Sequence, residues 1–145
     1  MYDGRFVIEL VSGVPVVAAP DEIDMTNARE LGSALLEAAA DGPGTLVADM
    51  GRTQYCDSSG IHTLLAVHKH AEADGGELLL VAAKAAVLRV FTITGIDRLI
   101  PYFTSLEDAL THASTQSDGR RRAESSNKTL AEVVPFSRVG QPSGG

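Results

Sequence analysis

Asp57, Ser58, Ser59 and Gly60 stand directly ahead of Ile61, Leu64, Leu65, His68 and Ala71, an apolar stripe at helical spacing. At a helix entrance a side-chain oxygen can accept hydrogen bonds from the unpaired amides of the first turn. Capping alone accounts for Asp57 and one serine. Serine hydrolysis is not indicated, because the stretch from Cys56 to Gly60 lacks the GxSxG elbow. His62, three residues after Ser59, reads as a surface histidine, His68 as a hydrogen-bonded residue at the core edge, and His70 and His112 as solvated. His62, His68 and His70 lack acidic or cysteine companions at metal spacing, and the phosphate-loop pattern GxxxxGK[ST] is missing. No catalytic residue, metal or cofactor is therefore expected. The lone cysteine, Cys56, reads as a small core residue, because no neighbouring basic residue in the sequence favours a thiolate.

The elements that must hold this segment follow from the hydrophobic pattern. Phe6 to Val11 and Val14 to Ala19 are β-prone runs joined by Ser12 and Gly13, a hairpin signature. Ala28, Leu31, Leu35, Ala38 and Ala39 mark a helix over 27–40, with Asn27 and Glu30 in capping-box register and Asp41, Gly42, Pro43 and Gly44 as its stop. Thr45 to Met50 is a short strand. The stripe after Gly60 is a helix ending at Gly75 and Gly76. Leu78 to Ala83 is apolar without alternation, as in a strand covered on both faces. A third helix over 85–94 ends at Gly95, a last strand is expected over 99–103, and Thr104 with Glu107 opens a final helix bearing Leu106, Ala109, Leu110 and Ala113. The order β, β, α, β, α, β, α, β, α gives an α/β fold: a mixed sheet of about five strands, opening on an antiparallel hairpin and packed with about four helices.

Charge divides the 145 residues into two parts. Residues 1–113 hold 16 acidic and 7 basic side chains, net -9, whereas 114–145 hold 3 and 5, net +2. That second stretch is rich in Ser, Gly, Arg, Asn, Gln and Pro and reads as a disordered tail. The overall charge of -7 argues against a nucleic-acid partner. The longest apolar run is six residues and the start carries no signal-peptide stretch, so a cytoplasmic chain without a membrane segment is expected.

Spread over Phe6 to Ala113 is a resemblance to the STAS domain, and within it to the bacterial anti-anti-sigma factors (anti-sigma factor antagonists). Asp49 closes a strand, Tyr55 is the aromatic before the motif, and Asp57, Ser58, Ser59 and Gly60 open the helix, as in that family. Val87, Leu88, Phe91, Thr94, Gly95 and Ile96 continue the similarity, and Glu22, Ile23 and Asp24 resemble its Gly-Glu-Leu-Asp signature. Two positions depart from the pattern: Asp21 stands where the signature has glycine, and Cys56 where an aliphatic residue or methionine is usual. The resemblance implies a STAS domain over 4–113 and a partner-switching role. The unphosphorylated domain would bind an anti-sigma factor serine kinase and free a sigma factor in a stress response. Phosphorylation by that kinase would then release it, with a serine phosphatase as the resetting partner; ATP and Mg would belong to the kinase. By motif position the acceptor is Ser59, where a phosphate would meet the positive end of the helix dipole and free amides. Asp57 would cap the helix and orient that hydroxyl, Gly60 would admit the kinase backbone, and Asp24 would meet a basic partner residue, with Glu22 and Ser58 beside it. An alternative on the same fold is a stand-alone STAS adaptor in another signalling complex, not controlled by phosphorylation.

Overall fold

A hairpin opens the computed structural model, which describes residues 6–40 and 44–115. Strands β1 (Val7–Val11) and β2 (Val14–Ala18) pair antiparallel, with Val11 opposite Val14. The two turn residues, Ser12 and Gly13, have φ of 53° and 80°. Positive φ at both is what a two-residue hairpin needs to follow the twist of its strands.

From β2 onward the chain alternates strands and helices. Short strand β3 (Glu22–Ile23), helix α1 (Ala28–Ala39), β4 (Thr45–Met50), β5 (Tyr55–Cys56), α2 (Ser58–Ala73), β6 (Glu77–Ala82) and α3 (Ala85–Thr94) follow in turn. A single 3-10 turn (Ile96–Arg98), β7 (Tyr102–Phe103) and α4 (106–115) complete the order. The main sheet runs β1-β2-β4-β6-β7, parallel throughout except for the hairpin.

Strand periodicity explains the two cores. Leu46, Ala48 and Met50 of β4 and Leu78, Leu80 and Ala82 of β6 face one side, where Leu31 and Leu35 of α1, Leu64 and Val67 of α2, and Val87 and Phe91 of α3 cover them. Val47, Leu79 and Val81 face the other, under Ala109 and Ala113 of α4. The unbroken apolar run of β6 thus has the cause inferred from the sequence, burial on both faces.

Three local expectations are corrected. Asn27 precedes α1 but makes no capping bond; its Oδ1 accepts from the Asp24 N–H at 3.0 Å and its Nδ2 donates to the Glu22 carbonyl at 2.9 Å. Its amide group closes the loop behind it instead of the helix ahead. At α4 the cap lies one residue later than expected, with Ser105 Oγ accepting from the Asp108 N–H at 3.1 Å. Only two residues of the expected 99–103 strand pair, because the 3-10 turn takes up the residues after Gly95. Leu80 N–H does bond the Pro101 carbonyl, at 3.0 Å, so the ladder begins just before β7. The expected 114–145 tail, apart from the end of α4, and the Asp41 to Pro43 stop lie outside the described residues. No helix among the described residues is long and apolar enough to cross a membrane.

Candidate functional site

Two loops, one after β2 and one after β4, carry the singled-out residues, and hydrogen bonds lace them together. Asp49 Oδ1 accepts from the Gly51 N–H at 3.0 Å, turning the chain as β4 ends. Thr53, fully buried, donates its hydroxyl to the Pro20 carbonyl at 2.8 Å. The Asp21 carbonyl then accepts from the amides of Gln54 and Tyr55, at 2.7 and 3.3 Å, and the Ile23 carbonyl from Asp57 at 3.1 Å. Between these bonds β3 and β5 pair in parallel, Glu22 beside Tyr55 and Ile23 beside Cys56.

This two-residue ladder sets the entrance of α2. Ile23 and Cys56 turn inward and are buried, while Glu22 and Tyr55 stay exposed. Asp57 follows at once with extended backbone, φ -97° and ψ -173°, as an N-cap residue requires. Its Oδ1 accepts from the amides of Ser59 at 2.9 Å and Gly60 at 3.3 Å. Capping is therefore real. The expected orienting bond to the Ser59 hydroxyl is not formed; the carboxylate takes the Ser59 amide.

The serines differ in setting. Ser58, the first helical residue, is exposed, whereas Ser59 is half-buried. Gly60 corrects an expectation, since it is buried and its open side faces inward. A Cβ there would lie 2.6 Å from Cys56 Sγ and 2.7 Å from Ile23 Cγ2. The glycine lets α2 sit against the small ladder, so its requirement has a cause inside the domain.

The acidic residues are also differently placed. Glu22 is exposed. Asp24 is half-buried, and its Oδ1 accepts from the Thr26 N–H at 2.9 Å and from the Thr26 hydroxyl, so one oxygen is engaged in its own turn. Asp21, which replaces the signature glycine, pairs with Arg52 at 3.1 Å across the two loops. Both side chains are largely exposed, so the pair adds little stability. It does offset one of the negative charges at this face.

Cys56 is 1% exposed. Burial first, and the adjacent Asp57 carboxylate second, push its thiol up to about 12 from 9.0. The neutral thiol is the form the fold favours, so this contribution is whole below pH 9.0 and is lost as pH rises toward about 12. Iodoacetamide at pH 8 is expected to modify the native protein far more slowly than the urea-unfolded chain. Between pH 8 and 10.5 the urea midpoint should fall more for the wild type than for Cys56→Ala.

The histidines sort themselves by neighbour. His62 is exposed; His68, largely buried, approaches Glu72 at 3.5 Å, and exposed His70 approaches Asp74 at 3.4 Å. His112 was expected to be solvated but is half-buried, with Nε2 3.1 Å from Glu77 Oε2 and its ring 5.2 Å from that of Phe103. It ties α4 to β6. No grouping of three or more His, Cys, Asp or Glu suited to a metal ion occurs among the described residues.

Sequence reasoning missed Thr53, Asn27 and Arg52. Arg52 and Thr53 act by joining loops 31 and 33 residues apart, and Asn27, which in the sequence carries only the signal of a helix-flanking polar residue, acts by bonding backbone.

Comparison with known proteins agrees with this geometry. The STAS domain profile matches residues 5–109. The anti-sigma-F factor antagonist RsfB of Mycobacterium tuberculosis is 31% identical over 100 residues, 69% of this chain and 81% of that protein. The crystal structure of an anti-sigma factor antagonist from Mycobacterium paratuberculosis superposes with a TM-score of 0.69 at 31% identity, covering 79% of this chain and 99% of the other. SpoIIAA in its unphosphorylated form superposes with a TM-score of 0.64 at 22% identity, over 76% and 96%, a likeness that bears on the fold alone. By the profile match over residues 5–109 and its similarity to these relatives, the chain belongs to the STAS domain family, among its anti-sigma factor antagonists.

Proposed function

We propose that this protein is a partner switch: unmodified, it binds an anti-sigma factor kinase and frees a sigma factor, and phosphorylation of its serine pair releases it. The observation that carries the reading is the entrance of α2, where an exposed serine follows a capping carboxylate in an acidic face. Because Asp57 already occupies the Ser59 and Gly60 amides, a phosphate would not be absorbed by the helix end. It would stand at the surface and add about -1.5 to -2 charges beside Asp57 and Glu22. The names of the relatives above, which are antagonists of anti-sigma factors, support the same partner class.

Motif position assigns the phosphate to Ser59, which is half-buried and stands beside the exposed Ser58. Nucleotide and metal belong to the kinase in this scheme, with this chain as substrate. The test is incubation of the wild type, Ser58→Ala and Ser59→Ala with ATP, Mg and the anti-sigma factor kinases of the source organism, followed by mass mapping. We expect phosphate on the wild type and Ser58→Ala, and none on Ser59→Ala. The reverse pattern moves the acceptor to Ser58. No phosphate and no complex with any kinase would overturn the switch and leave the unregulated adaptor.

A further inference from the structure

Helix α3 and the turn after it differ in charge from the rest of the domain. Residues 83–96 contain no acidic side chain, although 1–113 carries 16. Three of the seven basic residues of 1–113, Lys84, Arg89 and Arg98, lie in or beside this element and are exposed. None of them is in a salt bridge among the described residues. Asp97, the lone acidic residue of the stretch 83–103, is half-buried and accepts from the Thr92 hydroxyl at 3.4 Å.

The same face is apolar where it should be wet. Val87 and Phe91 fill the core side of α3. On the opposite side Arg89 and Ile93, four residues apart and so one above the other, point outward. Ile93 is 75% exposed and Leu99, past the turn, 59%. An exposed branched side chain one helical turn from Arg89 is unlike the acidic surface of the first loops, and such mixed apolar and arginine patches are typical of protein contact sites.

Position connects this face to the serine site. Helix α3 packs against β5, and β5 carries Tyr55, which is 52% exposed and stands two residues before Asp57. We infer that the partner-binding surface runs from Ser58 over Tyr55 onto the outer face of α3, and that Arg89 and Ile93 there take an acidic, apolar segment of the anti-sigma factor. The inference rests on the partner-switch reading and extends it. One occupant is chosen because α3 packs on β5, which leads into the serine site, and because the positive charge of the patch complements an acidic segment. The interface is then bipolar: the partner presents basic groups to Glu22 and Asp57, and acidic groups with an apolar anchor to α3. Two zones of opposite sign fix one docking orientation, which a single acidic patch would not do.

The experiment measures binding of the full chain to the anti-sigma factor kinases of the source organism, each purified and used as the probe. It compares the wild type, Arg89→Glu, Ile93→Asp and, as control, Leu10→Asp on the opposite edge of the sheet, where Leu10 is 70% exposed. Circular dichroism and thermal melting verify that each variant is folded, and Arg89→Lys tests the charge without reversing it. Arg89→Glu and Ile93→Asp should each weaken binding about tenfold or more, as buried anchors and opposed charges do. Arg89→Lys should retain most of it, and Leu10→Asp should stay within about twofold. Wild-type affinity in both α3 variants, with phosphorylation still releasing the complex, would overturn the inference and leave the switch standing. Failure of the wild type to bind any of these kinases would remove both. A concentration-dependent dimer abolished by Ile93→Asp, with kinase binding unchanged, would assign the face to a second copy and also overturn it.

Discussion

Gly60→Ala is expected to lower the stability of the domain by about 2 kcal/mol and to weaken partner binding beyond what that loss explains. The added methyl would sit 2.6 Å from Cys56 Sγ and 2.7 Å from Ile23 Cγ2. Ile23 is branched at Cβ and fully buried, and neither neighbour is the free end of a long side chain. A gain of about 1 kcal/mol in helix propensity offsets only part of the overpacking. Relief must come from moving α2 away from the β3–β5 ladder, which carries Asp57 and Ser58 away from Glu22. Urea denaturation of Gly60→Ala, Cys56→Ala and the double variant measures this. The double variant should be more stable than the sum of the single losses implies, because removing Sγ opens the space that the new methyl needs. Strict additivity would show that the clash with Cys56 is not the cause.

Ser59→Asp should bind the anti-sigma factor about tenfold more weakly than the wild type, while Ser59→Ala binds normally and resists the kinase. The aspartate adds one charge to a face that already holds Glu22, Asp24 and Asp57. A phosphate adds nearly two, so the modified protein should lose more affinity than the mimic. Arg52, paired with Asp21, removes one negative charge from the balance, so Arg52→Ala is a sensitised background in which Ser59→Asp bites harder. Since the effect is electrostatic and acts at the surface, raising the salt from 0.1 to 0.5 M should narrow the gap between Ser59→Asp and wild type. A gap unchanged by salt would point to steric or structural disruption. Sigma-factor release in a reconstituted mixture reads the same difference.

The long elements were legible from periodicity alone. The apolar run from Leu78 is recognisable as the doubly covered strand β6, and the helix expected over 85–94, ended by Gly95, is α3 to the residue. The ladder that holds the site was not legible. Strands β3 and β5 have two residues each, too short for alternation to register, and their pairing is fixed by Thr53, Asn27 and backbone carbonyls from distant loops. Asp57 as cap was readable from its position before a helical stripe, whereas the inward face of Gly60 was not, because it depends on where Ile23 arrives. His112 shows the same limit: its partner Glu77 is 35 residues away and faces it only once α4 lies on the sheet.

Isothermal titration of an anti-sigma factor kinase with two preparations of this chain, unmodified and stoichiometrically phosphorylated on the serine pair, tests the switch most directly. The account predicts saturable one-to-one binding of the unmodified chain and an affinity at least about tenfold lower after phosphorylation, with circular dichroism unchanged between the two. Equal affinities of the two preparations would contradict it.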